Sequence, residues 1–451
     1  MKPQILFRCW VLALCVLLLT VVLGRGAGDS PVLAFELLVA PDKACPSHSI
    51  LRVDASVSGG TGDGGSWANA YSDLQPALTT AKDCANVTEL WVAAGNYVPG
   101  TDADATFALA NNVALYGGFA GTETAREQRD WASNVTTLNG RYSTSPNRQV
   151  QHVVTSNNLD ATAVLDGFTI KNGRAISASG KIAQGGGLLN TGGQPTLRNL
   201  VFADNYAYAG GGGLYNTASN LTLTNITFRN NTSRFGGGML STTANALTLR
   251  DVVFESNDAT EFGGGGLRMG GVVGAADTAT FTNVIFRNNT AEYGGGFYST
   301  AGVHQFTNVV FVNNVARRTW DTAVGGGGVQ SYDSTLHFVN TTFFGNSAGA
   351  AGGGLWAEDS SVTLGNSILW GNMAPDGPQY KLRGTATLAV TYSNLQQPSG
   401  VHPGTGNINA NPYFVDAANG NLRLQLGSYC IDSGNNAAVP AGVTTDLEGR
   451  P

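Results

Sequence analysis

One internal repeat governs what this chain can fold into. The phrase "FRNNTSRFGGGML" starts at Phe228, returns as "FRNNTAEYGGGFY" at Phe286 and again as "FFGNSAGAAGGGLW" at Phe343. Aligned on F-x-x-N, the apolar position falls at Phe202, Phe228, Phe254, Phe286, Phe311, Phe343 and Leu369, with gaps of 26, 26, 32, 25, 32 and 26 residues. The partner asparagines are Asn205, Asn231, Asn257, Asn289, Asn314, Asn346 and Asn372, and Ile170 sits one step upstream with Gly173 in the asparagine's place.

Each unit carries three short segments. The first reads like "LTLTN", alternating apolar and polar, and ends at Asn199, Asn225, Asp251, Asn283, Asn308, Asn340 or Asn366. The second is "ITF" followed by x-x-N, and the third follows a glycine run. Period-two alternation with β-branched and aromatic residues reads as strand. Such segments are too short for helices, and the glycine density opposes helix further. One unit cannot bury its own apolar face, whereas stacked units can. The expected fold is therefore all-β: a single-stranded right-handed parallel β-helix, with equivalent residues of adjacent coils about 4.8 Å apart. Phe202 through Phe343 become one internal stack, and Leu200, Ile226, Val252, Val284 and Val309 a second internal column.

Stacking gives the asparagines and glycines a structural role. Asparagine tolerates left-handed backbone at a turn, and in register its amide can bond the same amide one coil away. Sequons such as Asn225-Ile-Thr and Asn340-Thr-Thr coincide with these ladder positions, so they read as repeat chemistry. The glycines mark a turn where left-handed backbone, or close approach between coils, leaves no room for Cβ. A phosphate cradle would need a following helix and a Lys-Ser/Thr pair, and the runs have neither.

Composition narrows function. The chain is 42% hydrophobic, so a large core is available, and only 12% charged with a formal net charge of −6. Scattered charges without a basic cluster argue against nucleic acid as a partner. Lys2 and Arg8 precede an apolar run from Cys9 to Leu23, and the small-residue stretch "GRGAG" follows. That pattern reads as a secretory leader over residues 1–27, with an uncleaved anchor as the rival, and a secreted or cell-surface location. The run is short for a bilayer span of about 20 residues, and no second apolar span follows, so no transmembrane helix is expected after leader removal. Cys9 and Cys15 lie in the leader, leaving Cys45, Cys84 and Cys430. Cys45 with Cys84 is a candidate disulfide, though an odd count leaves the pairing open.

The exposed strand edges at the ends of a β-helix must be capped. After a linker at 28–50, the segment "WANAYSDLQPALTTA" from Trp67 reads as a short amphipathic capping helix with Leu74 and Leu78 on one face and Pro76 in its first turn. Residues 51–165 form the N-terminal cap and first irregular coils, including a loop over 121–150 that is charge-rich for this chain. Regular repeats occupy 166–395, and a C-terminal coil and tail fill 396–451.

Here the residues resemble known families. "VDASVSGGTGDGGSWANAYSDLQPAL", "WVAAGNYVPG", "VALYGGFAGTETAREQRDW" and "LDGFTI" resemble the N-terminal half of bacterial secreted pectin-lyase-like β-helix proteins. The tail "NPYFVDAANGNLRLQLGSYCIDSGNNAAVP" resembles the choice-of-anchor Q family, which implies surface attachment. The F-x-x-N and GGGL pair also resembles the repeats of chlamydial polymorphic outer membrane proteins, which implies surface display.

Catalytic motifs are sparse. A GHG segment and paired aspartates of the polygalacturonase type do not occur. The best carboxylate pair is Asp102 and Asp104 in "TDADAT", a loop that offers a calcium site, although calcium takes six to eight oxygens and no cofactor is required by the sequence. His304 and His337 read as outward strand positions in successive coils. Side chains alternate along a strand, so the residue after each inward-facing apolar one should point out. That column reads Leu189, Tyr215, Leu240, Arg268, Tyr298, Gln330 and Trp356. Tyr215, Arg268, Tyr298 and Trp356 are the candidate contacts for a polysaccharide or a cell-surface partner, unless loops pack over them. The expected function is a secreted or surface-displayed, adhesin-like binding or structural module for carbohydrate. The alternative is a polysaccharide lyase or glycoside hydrolase of the pectin-lyase-like class.

Overall fold

The computed structural model describes residues 45–450 apart from 146–147, 177–181, 244–245, 271–276 and 321–323. The expected leader and most of the expected linker lie outside the described residues. From Ile50 onward the chain winds into three parallel sheets of sixteen, ten and seven strands. One coil shows the rule. Leu214–Thr217 lies in the ten-stranded sheet, Thr222–Arg229 in the sixteen-stranded sheet and Thr232–Ser233 in the seven-stranded sheet. A glycine run then leads to Met239–Thr242, which pairs in parallel with the start of the same coil, Leu214 opposite Met239.

Register converts the repeat into columns. Ring centroids from Phe202 to Phe228, Phe254, Phe286, Phe311 and Phe343 are 4.9, 4.8, 4.8, 4.8 and 4.8 Å apart, nearly coplanar. Offset stacking at this spacing adds to the burial of each ring, itself about 2–3 kcal/mol. Leu200, Ile226, Val252, Val284 and Val309 form the second buried column.

The buried asparagines form a continuous ladder. Asn205 Nδ2 donates to Asn231 Oδ1 at 3.0 Å, and the pattern repeats through Asn257, Asn289, Asn314 and Asn346 to Asn372. Each Nδ2 also donates to a carbonyl of the preceding coil, as Asn231 does to Phe202 O at 2.9 Å. These asparagines are not themselves left-handed; the residue before each one is, for example Asp204 and Asn230 at φ +55° and +53°. The other asparagine row is left-handed, from Asn199 (φ +54°) to Asn366 (φ +52°), and kinks the long strands. The glycine runs divide their work. Gly236 is left-handed at φ +56°, whereas a Cβ at Gly237 would stand 2.6 Å from backbone atoms of Asp258 and Gly265 in the next coil.

At the N-terminal end, helix α1 (Leu74–Asp83) starts at Asp73, whose carboxylate accepts from Gln75 N–H at 3.0 Å. It buries Leu74, Ala77, Leu78 and Ala81 against the first strands. The charge-rich segment beyond Phe119 folds back onto the outer sheet face. Its Glu123 carboxylate gathers the N–H groups of Ala120, Gly121 and Thr122 at 2.6–3.0 Å. Its Arg129 pairs at 2.7 Å with Asp166, which is fully buried and also held by Arg198 at 2.6 Å. Trp91, Tyr116 and Phe119 are buried together beneath it. Cys45 and Cys84 are each disulfide-bonded, and Cys430 is a free thiol.

The tail turns back along the kinked sheet. Phe414 meets Phe344 edge-on at 5.2 Å, Asn366 pairs with the Asn435 backbone, and Asn308 donates to Thr445 O at 2.8 Å.

Candidate functional site: a ring and guanidinium ridge

The short strand of the seven-stranded sheet leads to each glycine run, and in three successive coils the last residue before the glycines is aromatic: Phe235, Phe262 and Tyr293. Stacking the coils lines these residues up. Phe235 and Phe262 stack face to face at 4.1 Å, in adjacent coils. The Arg234 guanidinium lies 5.0 Å from the Tyr208 ring and 5.7 Å from Phe262. Arg268 sits between Phe235 and Tyr298, at 5.1 and 4.3 Å. Tyr298 touches Tyr293 at 5.3 Å, and Arg318 bridges Tyr293 and Trp320 at 5.3 and 4.6 Å. The result is a ridge of contacting rings and guanidinium groups along successive coils. Tyr208 and Trp320 are its open ends, 43% and 76% exposed.

Its carboxylates are engaged. Glu261 pairs with Arg234 at 2.6 Å, Asp258 with Arg317 at 2.9 Å, and Glu292 with Arg317 at 3.4 Å. The Glu261 contact holds the Arg234 guanidinium above its ordinary pKa. Arg268 differs: its Nη1 is buried with no hydrogen-bond partner among the described residues. Burial pushes the Tyr298 phenol up, against the opposing pull of Arg268. A face built this way can stack on the apolar face of a flat ring and donate to acceptors along its edge.

The four residues expected from sequence divide. Arg268 and Tyr298 belong to the ridge. Tyr215 is half-buried, with its hydroxyl 3.2 Å from Thr242 Oγ1. Trp356 is fully buried, and Tyr298 only 6% exposed, which corrects the expectation of a solvent-facing stripe. The reason is steric: the outward loops close over the column. A Cβ at Gly263 would stand 2.8 Å from the Tyr298 ring, and one at Gly325 3.1 Å from Trp356 Cδ1. The contacts missed in the sequence were Tyr208, Arg234, Phe235, Phe262, Tyr293, Arg318 and Trp320. For Arg234, Phe235, Phe262 and Tyr293 the signal was the place just before the glycines, in "RFGGG", "EFGGGG" and "EYGGG"; Tyr208, Arg318 and Trp320 carried none.

His304 also departs from expectation. It points into the core opposite Ala279 and Leu336 and is fully buried, with Nε2 2.6 Å from Ser299 Oγ. His337 pairs one register position away, opposite Gln305, and meets Thr363 Oγ1 at 2.9 Å. Asp102 and Asp104 lie exposed on a loop. Asp102 accepts from Asp104 N–H at 2.9 Å, and Asp104 from Gln151 Nε2 at 3.2 Å. Among the described residues, no three His, Cys, Asp or Glu side chains gather as a metal site, and no helix is long and apolar enough to cross a membrane.

No curated protein matches the sequence. Among solved structures, the chain is similar to the A-module of the mannuronan C-5 epimerase AlgE4 of Azotobacter vinelandii, at 13% identity and a TM-score of 0.35 over 75% of this chain and 100% of that one; a likeness of that degree carries no functional argument. The family model described as right handed beta helix region matches residues 166–394, which are the stacked coils above, and the chain belongs to that family.

Proposed function

We propose that this β-helix is an exported binding rod that holds a carbohydrate on its ring and guanidinium ridge. The observation that carries the reading is the chain of ring and guanidinium contacts from Tyr208 through Arg234, Phe235, Phe262, Arg268, Tyr298, Tyr293 and Arg318 to Trp320. Sugar rings present apolar C–H faces to such side chains and hydroxyl or carboxylate oxygens to the guanidinium edges. The pairing of Glu261, Asp258 and Glu292 with arginines supports binding over carboxylate catalysis on this face. Export rests on the apolar run from Cys9 to Leu23, and surface attachment on the resemblance of the tail to choice-of-anchor Q proteins.

The test is binding to a panel of neutral and acidic polysaccharides by the intact protein, with product release read in parallel. Phe262→Ala and Trp320→Ala are each expected to weaken binding about tenfold, the equivalent of about 1.4 kcal/mol, with an unchanged thermal midpoint. Calcium is varied in the same assay, because Asp102 and Asp104 offer oxygen ligands on their loop. Release of reducing or unsaturated ends above a heat-killed control overturns the binding reading in favour of a polysaccharide lyase or hydrolase.

A further inference from the structure

We propose that the uncovered part of the outer asparagine row, Asn199, Asn225 and Asn283, is a docking track for an extended polypeptide segment of a partner protein. Each amide in this row spends one N–H on the preceding coil. Asn225 donates to Asn199 at 2.7 Å, Asn283 to Asp251 at 2.9 Å, Asn308 to Asn283 at 3.1 Å and Asn366 to Asn340 at 3.2 Å. A primary amide has a second N–H and a second lone pair, and at Asn366 both meet the tail, as the N–H does at Asn308.

The chain's own tail shows what this row accepts. Asn366 Nδ2 donates to Asn435 O at 3.0 Å while Asn366 Oδ1 accepts from Asn435 N–H at 2.7 Å. Asn435 is extended, at φ −108° and ψ 109°, and an extended residue turns its N–H and C=O to the same side. One side-chain amide therefore clasps one extended residue. Two coils earlier, Asn308 repeats half of the clasp on Thr445 O at 2.8 Å. Where the tail lies, the row is covered: Asn308 is 7% exposed.

Beyond the tail the same surface continues uncovered. Asn283 and Asn225 stand two coils apart, as Asn366 and Asn308 do, with Asp251 between them. Asn225 is exposed, and Asn283 is half-buried. Beside them runs a half-buried column of Val201, Thr227, Val253 and Ile285 in register. Its later members Val310 and Thr342 run on into the tail-covered coils. Continuity with the tail's own seat identifies the occupant as polypeptide backbone with few bulky side chains, like "SGNNAAV". This face is separate from the ridge, so the inference does not depend on the carbohydrate reading.

The probe is a fluorescent synthetic peptide of residues 431–446, titrated into the full chain and followed by polarisation. Saturable binding is expected. The double variant Asn225→Gly and Asn283→Gly keeps the left-handed backbone while deleting both amides, and is expected to weaken binding at least tenfold with an unchanged thermal midpoint. Asn366→Gly is the control that separates this track from displacement of the resident tail, and it should leave peptide affinity unchanged. No saturable binding, an unchanged affinity in the double variant, or loss only in Asn366→Gly would each overturn the proposal. So would protection of this face by a polysaccharide in place of the peptide.

Discussion

A one-residue offset decides the character of two histidines. Phe306 and Phe338 share a column, so His304, two residues before its phenylalanine, faces inward, and His337, one residue before, faces outward. That offset stands in the sequence as "HQF" against "HF", and counting back from the phenylalanines would have given both orientations. Burial lowers the His304 pKa to about 3 from an ordinary 6.5, so the imidazole is neutral in the folded protein. The unfolded chain binds its proton below about 6.5 while the fold does not until about 3. The native state accordingly loses stability as pH falls through that window, by at most about 1.4 kcal/mol per pH unit from this group. His304→Leu, which matches Leu336 above it, should flatten the dependence of the thermal midpoint between pH 6.5 and 4. An unchanged slope would place the acid sensitivity elsewhere.

At the scale of elements, the residues of the folded-back segment beyond Phe119 are structural. Arg129 holds the buried Asp166 and also donates to the Gly117 and Asp166 carbonyls at 3.0 and 3.2 Å. Removing one partner of a buried pair strands a charge. Because Arg198 and Asn199 still reach Asp166, Arg129→Ala should cost about 2–4 kcal/mol, below the full loss of such a pair. The readout is proteolytic cleavage within 120–135 under conditions that spare the wild type, and resistance equal to the wild type would show that the aromatic cluster alone fastens the segment. The sequence showed this region as a charge-rich loop with a family resemblance but not what anchors it, since the acid that Arg129 meets lies in a different coil. The ridge was hidden differently. Alternation along a strand marks which residues point outward, but whether a loop then covers them depends on neighbouring coils, as at Trp356. The exposed rings sit in the covering loops themselves, where no period announces them.

For the whole molecule, the repeat was the most legible feature because each coil obeys the same constraints as its neighbours. The phenylalanine stack, the second aliphatic column and the inner asparagine ladder all follow from spacing alone. The path of the tail does not, for it rests on pairings such as Asn308 with Thr445, 137 residues apart. Close stacking also makes the molecule intolerant of added volume along the glycine run of each coil. Gly237→Ala places a methyl 2.6 Å from the next coil's backbone, and overpacking of this kind costs about 1–3 kcal/mol. A fall in the thermal midpoint is expected, whereas an unchanged midpoint would mean that adjacent coils can part locally. The two asparagine rows carry one more consequence. In the inner row every amide donates to the following coil, Asn205 to Asn231 onward, while in the outer row every amide donates to the preceding one, Asn225 to Asn199 onward. Aligned amides sum to a dipole, as in a helix. Here the two rows of amide-to-amide bonds run in opposite senses, and Asp251 interrupts the outer one, so the stacked coils carry no single amide polarity from end to end.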